Sequence, residues 1–202
     1  MDDLTRPDAE FRQAYRELAL INRYLGGIRA IKRFLPRIRG GMLLDVAAGA
    51  SDVGDVLVRD GGWKVVGVDL NSGGLGMATR SLVVAGDAFS LPFLDDSFDV
   101  VTASLFFHHL SDDDCVRVFR SMYRVARQRV IVNDLHRTRV AWMSIVTLTR
   151  LFSRSPMVQN DGPLSVRRAF RPTDLAAIAR RAGVNARIHR SFPCRLVMVA
   201  DK

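Results

Sequence analysis

Between residues 43 and 133, short apolar runs alternate with amphipathic stretches, and that alternation narrows the possible folds more than any other feature of the chain. Strands are expected at 43–47, 64–68, 82–85, 98–103 and 129–133. Helices are expected at 52–59 and 112–126, the latter capped near Ser111 and rich in early acids that suit its dipole. A glycine-weakened helix or turn is expected at 72–79. Strand–helix–strand units of this kind close through right-handed crossovers, which makes the sheet mostly parallel with helices on both faces. After them comes a helix over 173–182, capped by Thr173 and stopped by Gly183. Two further runs, 185–189 and 195–200, are separated only by S-F-P-C, so they are expected to add an antiparallel pair.

Two segments stand outside this rhythm. Over residues 8–39, Leu18, Ile21, Leu25, Ile28, Ile31 and Leu35 recur at helical spacing, with Gly26-Gly27 as a break and Pro36 and Gly40-Gly41 as the end. Residues 1–41 are therefore read as an N-terminal helical lid on a domain covering 42–202. A second helical insert, roughly 137–171, begins V-A-W-M-S-I-V-T-L-T-R-L-F. It is apolar almost all round and too short to span a bilayer, so it is expected to pack over a pocket, the core or a neighbouring subunit.

Several classes are disfavoured by the bulk features. The acidic start M-D-D-L-T-R-P-D does not read as a signal peptide. Cys115 and Cys194 lie far apart without metal-type spacing, as expected of reduced thiols in a cytoplasmic protein. Net charge is +4 over residues 1–41, −9 over 42–116 and +14 over 117–202. The basic third suits nucleic acid, anionic lipid or an acidic substrate. However, only three of the 30 basic residues are lysine, and such an arginine bias also follows from genome composition, so nucleic acid is the disfavoured partner.

The loop after the first strand, D-V-A-A-G-A-S-D at 45–52, is where an open parallel sheet binds ligands. Its small residues let a ligand approach the backbone. The second strand ends in Asp69, twenty residues beyond Gly49, where a carboxylate can accept both hydroxyls of a ribose. A nucleoside is the natural ligand. Taking Gly49, Ser51 and Gly54 as a dinucleotide fingerprint loses the glycine nearest the pyrophosphate. Asp45 would also repel a diphosphate, whereas it suits a ligand bearing positive charge.

Four stretches, L-D-V-A-A-G-A-S-D at 44–52, V-G-V-D-L at 66–70, G-D-A-F-S-L-P-F at 86–93 and D-D-S-F-D-V-V-T-A-S at 95–104, resemble in order and spacing the class I S-adenosylmethionine-dependent methyltransferases. The resemblance covers about residues 42–134 and the closing helix and strands. It implies an α/β, Rossmann-like seven-stranded sheet, mostly parallel, with a C-terminal antiparallel pair and helices on both faces. It also implies S-adenosyl-L-methionine as cofactor. Asp45, Ala47 and Gly49 would cradle its methionine part, with Asp69 on the ribose and Leu70 against the adenine. Asp87 and Ala88 would meet the adenine edge, and Ser104 would lie beside the methionine end. The first motif departs from the family's acid-x-Gly-x-Gly-x-Gly, since Ala47 and Ser51 replace two glycines.

Methyl transfer is an in-line displacement that needs alignment, exclusion of water and, for a hydroxyl acceptor, a base. Three of the four histidines fall on the loops after strands four and five, in F-F-H-H-L at 106–110 and N-D-L-H at 133–136. His108, His109 and His136, the last beside Asp134, are the candidate catalytic groups. A metal held by Asp134 and these histidines lacks the further acids that catechol-type enzymes carry, and none is expected. S-L-F-F replaces the N-P-P-Y of base and amide N-methyltransferases. The chain most resembles the branch acting on quinones, polyketides and other small metabolites, with transfer expected at oxygen. Tyr15, Trp142 and Met143 are candidate pocket residues. The alternatives are an RNA methyltransferase, a dinucleotide oxidoreductase and a cofactor-binding protein without turnover; the oligomeric state is open, a homodimer included.

Overall fold

The computed structural model describes residues 26–60, 62–71, 74, 76–153 and 156–202. They form a seven-stranded sheet: β1 (Gly41–Val46), β2 (Trp63–Asp69), β3 (Leu82–Ala85), β4 (Phe98–Ser104), β5 (Ala126–Leu135), β6 (Arg187–Ser191) and β7 (Arg195–Asp201). Its order is β3-β2-β1-β4-β5-β7-β6. The first five strands are parallel, and β7 runs antiparallel to both β5 and β6. The chain reverses its direction of travel across the sheet between β1 and β4, which opens a crevice at their carboxyl ends.

The helices are α1 (Gly27–Phe34), α2 (Asp52–Arg59), α3 (Asp112–Val125), α4 (Arg139–Phe152), α5 (Pro156–Arg168) and α6 (Pro172–Ala182). Alternation along the fully buried strands divides the core into two layers. One face of the sheet, with Leu44, Val101, Val130 and Met198, packs with Phe119 and Met122 of α3 and Leu175 and Ile178 of α6. The opposite face, with Leu43, Val100, Ile131 and Val199, packs with Ile28 and Ile31 of α1 and Val53 and Leu57 of α2. The segment around 27–34 thus lies flat on the sheet. Tyr15 and the rest of the expected lid up to residue 25 lie outside the described residues, as do parts of 72–79.

The amino edge of the sheet is tied down. Asp99 accepts from the Met42 amide at 2.9 Å and the Arg127 guanidinium at 2.9 Å, linking β1, β4 and β5. Arg124 donates to the carbonyls of Leu91 and Phe93 and to Asp95, which holds the loop before β4. The two sheet flanks differ. At β3, Leu82, Val83 and Val84 are all exposed. Among the described residues, no helix is long and apolar enough to cross a membrane.

Three boundaries differ from expectation for physical reasons. β5 starts three residues early because Ala126 pairs with Phe98 of β4, ahead of a register shift at which the polar, exposed Arg127 and Gln128 sit. β6 is shifted two residues toward the C-terminus, since pairing with β7 across Phe192–Cys194 sets its register. The α6 cap is Arg171, not Thr173: Asp174 accepts from the Arg171 amide at 2.8 Å, and Pro172 opens the helix.

Candidate functional site

The loop 47–51 adopts the geometry of a glycine-rich turn without the glycines. Ala47, Gly49 and Ser51 all have left-handed φ angles, 55°, 54° and 56°. For a residue with a Cβ this conformation costs roughly 1–2 kcal/mol, so the surrounding contacts must enforce it. Two are visible. The Gly49 amide donates to Asp69 Oδ2 at 2.8 Å, and the Ala48 amide donates to the Val68 carbonyl at 3.1 Å. The Ser51 side chain is accommodated by bareness elsewhere. A Cβ on Gly54 would stand 2.8 Å from Ser51 Oγ, and one on Gly67 would stand 3.1 Å from it. Ser51 Oγ is buried and has no hydrogen-bond partner.

Asp45 is 2 % exposed beneath this loop and accepts from Thr102 Oγ1 at 2.9 Å. Burial raises its carboxyl pKa, the Thr102 hydrogen bond works against the rise, and the charges of Asp52 and Asp69 add to it; it is pushed up to about 7. A buried carboxyl whose pKa stands this far above its ordinary range is one that a nearby positive charge would ionise. Asp69 accepts the Gly49 amide with one oxygen and the Asn71 amide with the other, at 2.8 Å each. Asp87 closes a turn by accepting from the Phe89 amide, and its side chain is exposed. Leu70 is exposed, Ala88 is buried, and Ser104 is half-buried at the end of β4.

Beyond the ends of β4 and β5 the histidines separate. His108 is buried, with Nδ1 2.7 Å from Asp134 Oδ1 and its amide donating to Asp134 Oδ2. Asp134 is fully buried. Burial alone would raise its pKa, but the charge and hydrogen bond of His108, with the Leu135 and His108 amides, hold it below the usual carboxylate range. His109 is exposed, its ring centroid 4.1 Å from that of His108. The partnership expected between Asp134 and His136 is therefore not the one formed: Asp134 engages His108. His136 is half-buried, bridges to Phe170, and donates its amide to the Cys194 carbonyl at 2.9 Å. Burial lowers its pKa, and the charge of Arg190 lowers it further. Trp142 and Thr149 line a groove between α4 and α5, while Met143 faces outward.

Three polar side chains at this edge were missed by the sequence reading. Thr102 is the Asp45 partner. Asn133 is wholly buried, donates to Ser104 Oγ at 2.9 Å, and leaves its Oδ1 without a partner. Arg195 is 1 % exposed; burial lowers its guanidinium pKa to about 10 against the opposing charges of Asp134 and Asp52. The available signal was a polar residue inside an apolar strand, as in F-D-V-V-T-A-S.

Comparison with known proteins agrees with this architecture. A methyltransferase-domain family model matches residues 43–129. The fold is shared with an S-adenosylmethionine-dependent methyltransferase from Aquifex aeolicus (TM-score 0.70, 16% identity, covering 98% of this chain and 99% of that one). It is shared also with a TehB-like enzyme of the same class from Corynebacterium glutamicum (TM-score 0.66, 19% identity, 96% and 97%). In sequence the chain is 33% identical over 165 residues to a demethylmenaquinone methyltransferase of Roseiflexus sp. strain RS-1, covering 71% of this chain and 67% of the relative. The Roseiflexus castenholzii counterpart is 34% identical with the same coverage. The chain belongs to the class I S-adenosylmethionine-dependent methyltransferases, in the quinone-type branch. Its activity is methyl transfer, and its cofactor is S-adenosylmethionine.

Proposed function

We propose that the protein methylates a small hydrophobic hydroxyaromatic acceptor, a phenol or quinol, at oxygen. The observation that carries the cofactor half is the loop of three left-handed residues over a buried carboxyl that titrates near 7. This arrangement fits a cationic ligand. Asp45 would supply the counter-charge, Ala47, Gly49 and Asp69 the backbone approach and ribose contact, and Leu70, Asp87 and Ala88 the adenine surroundings. Ser104, fixed by Asn133, would border the methionine end.

When bound, S-adenosylmethionine supplies a methyl group activated by the sulfonium. The chain must do the rest. His136, its pKa lowered by burial and by Arg190, is neutral at neutral pH and can take the acceptor's hydroxyl proton. With that proton held on His136, the acceptor oxygen would be the nucleophile toward the methyl group that the cofactor supplies. His109, exposed and with its ring centroid 4.1 Å from that of His108, would be a second candidate for the proton. His108 acts as a positioning residue, because its ring is spent on Asp134. The relatives named as demethylmenaquinone methyltransferases support a quinone-like acceptor, and the apolar insert, with Trp142 on its groove, supports a hydrophobic one.

The test is a methyl-donor assay on hydroxynaphthoquinols, phenols and hydroxylated polyketides, with product analysis that separates oxygen from carbon methylation. His136→Ala is expected to lower turnover about 10²-fold or more while calorimetric cofactor binding persists. Transfer to ring carbon would correct the atom. Transfer to RNA alone would overturn the acceptor class.

A further inference from the structure

The outward face of α4 is unusual for a helix at a protein surface. Val140, Met143, Ser144, Thr147, Leu148 and Leu151 follow one another around that side. None of them carries a charge, and Val140, Met143 and Leu151 are 67%, 63% and 70% exposed. The buried side, Ala141, Ile145 and Thr149, is already used. Gly162 of α5 comes so close that a Cβ there would meet Ile145 and Thr149 at 3.3 and 3.2 Å. The exposed face is thus additional to the packing that holds the insert together. Solvent-facing helix surfaces are normally polar, and a contiguous apolar one marks a contact site.

Its rim is basic. Arg139 and Arg150 border one edge of the face, and Arg167 of α5 lies over the Trp142 ring at 5.7 Å from its centroid. Across residues 137–171 the sequence holds seven arginines and one aspartate. An apolar strip with Trp and Leu, edged by arginines, is the pattern of a helix lying in a membrane interface, where the apolar side chains enter the acyl boundary and the cations meet anionic headgroups. A second copy of this chain fits less well, because two-fold packing of α4 on itself would bring the two arginine rims together. A nucleic acid would engage the arginines and leave the uncharged strip facing water.

We propose that α4 and the adjoining edge of α5 form a peripheral docking surface for a bilayer bearing anionic lipid. This goes beyond the acceptor assignment and does not require it. It has a consequence for it all the same. α5 packs against the turn at Phe107–His109, so a docked insert would set the carboxyl edge of the sheet beside the membrane, where a lipid-soluble acceptor could enter without crossing water.

The test is co-sedimentation of the full chain with vesicles of phosphatidylcholine alone or mixed with phosphatidylglycerol. The full chain should pellet with the mixed vesicles and lose that binding as salt rises. The double variant Val140→Glu/Leu151→Glu should bind them at least about tenfold more weakly. Both substituted residues are exposed, so its circular dichroism and calorimetric cofactor binding should match the parent's. Absence of sedimentation by the parent, or equal sedimentation by the variant, overturns the proposal. So does light scattering that finds a dimer which the variant splits, since the face would then join two copies. Cofactor binding is read separately, so a failed docking surface is distinguished from a failed methyltransferase assignment.

Discussion

The two halves of the crevice, one proposed for the cofactor and the other for the acceptor, are built by different means. Around β1 and β2 the surfaces are backbone: three left-handed residues, amides held by Asp69, and glycines at 54 and 67 that leave room for Ser51. Around β4 and β5 they are side chains: the His108–Asp134 pair, Asn133 on Ser104, and His136 on the strand end. Backbone recognition tolerates substitution if the dihedral angles survive, which is why Ala47 and Ser51 can stand where the family carries glycine. Side-chain recognition has no such tolerance. The two halves should therefore respond to mutation on different scales.

The largest effect is expected in the acceptor half. His108→Ala leaves Asp134 buried and without its imidazole partner, and should cost about 3–5 kcal/mol of folding stability, measured by urea unfolding. A loss below about 1 kcal/mol would mean that the pair is solvated and that His108 is available to substrate. Next comes Asp45→Asn. The folded protein retains the Asp45 proton up to a pH of about 7, whereas the unfolded chain releases it near 3.8. Between those values the native state binds more protons, so stability falls as pH rises, and the loss is complete above about 7. The asparagine variant should be more stable above that pH by about 2–4 kcal/mol, an upper range for so buried a group, and should lose cofactor binding. Calorimetry of the parent should show affinity rising through the same pH with release of a proton. If both proteins have the same stability profile, Asp45 is not the titrating group. The smallest effect is expected for Ala47→Gly. Relief of the left-handed strain is partly offset by the greater freedom of the unfolded chain, for a net gain of up to about 1 kcal/mol and little change in cofactor affinity. A large loss of affinity would show that the Ala47 methyl itself touches the ligand.

The same division explains what could be read from the sequence. The succession of strands and helices along the chain and the parallel core were legible because they follow from hydrophobic rhythm, and the loop after β1 stood out by its small residues at fixed spacing. The choice of partner for Asp134 was not, since His108 and His136 are both near it in any reading and only the turn at Phe107–His109 brings His108 onto it. Thr102, Asn133 and Arg195 were hidden because strands buried on both faces show no alternation that tells which polar residue points inward. The early start of β5 and the shift of β6 were set by neighbouring strands, through ladders that no local pattern encodes.

The flank at β3 is the part of the sheet most open to strand addition from another molecule. Leu82, Val83 and Val84 lie exposed on a terminal strand that, among the described residues, pairs with β2 alone. With only four residues it offers a foreign strand few rungs, a brevity that serves as protection against fibril growth. Lengthening this strand by apolar residues would remove that safeguard, whereas a lysine in place of Val83 would reinforce it.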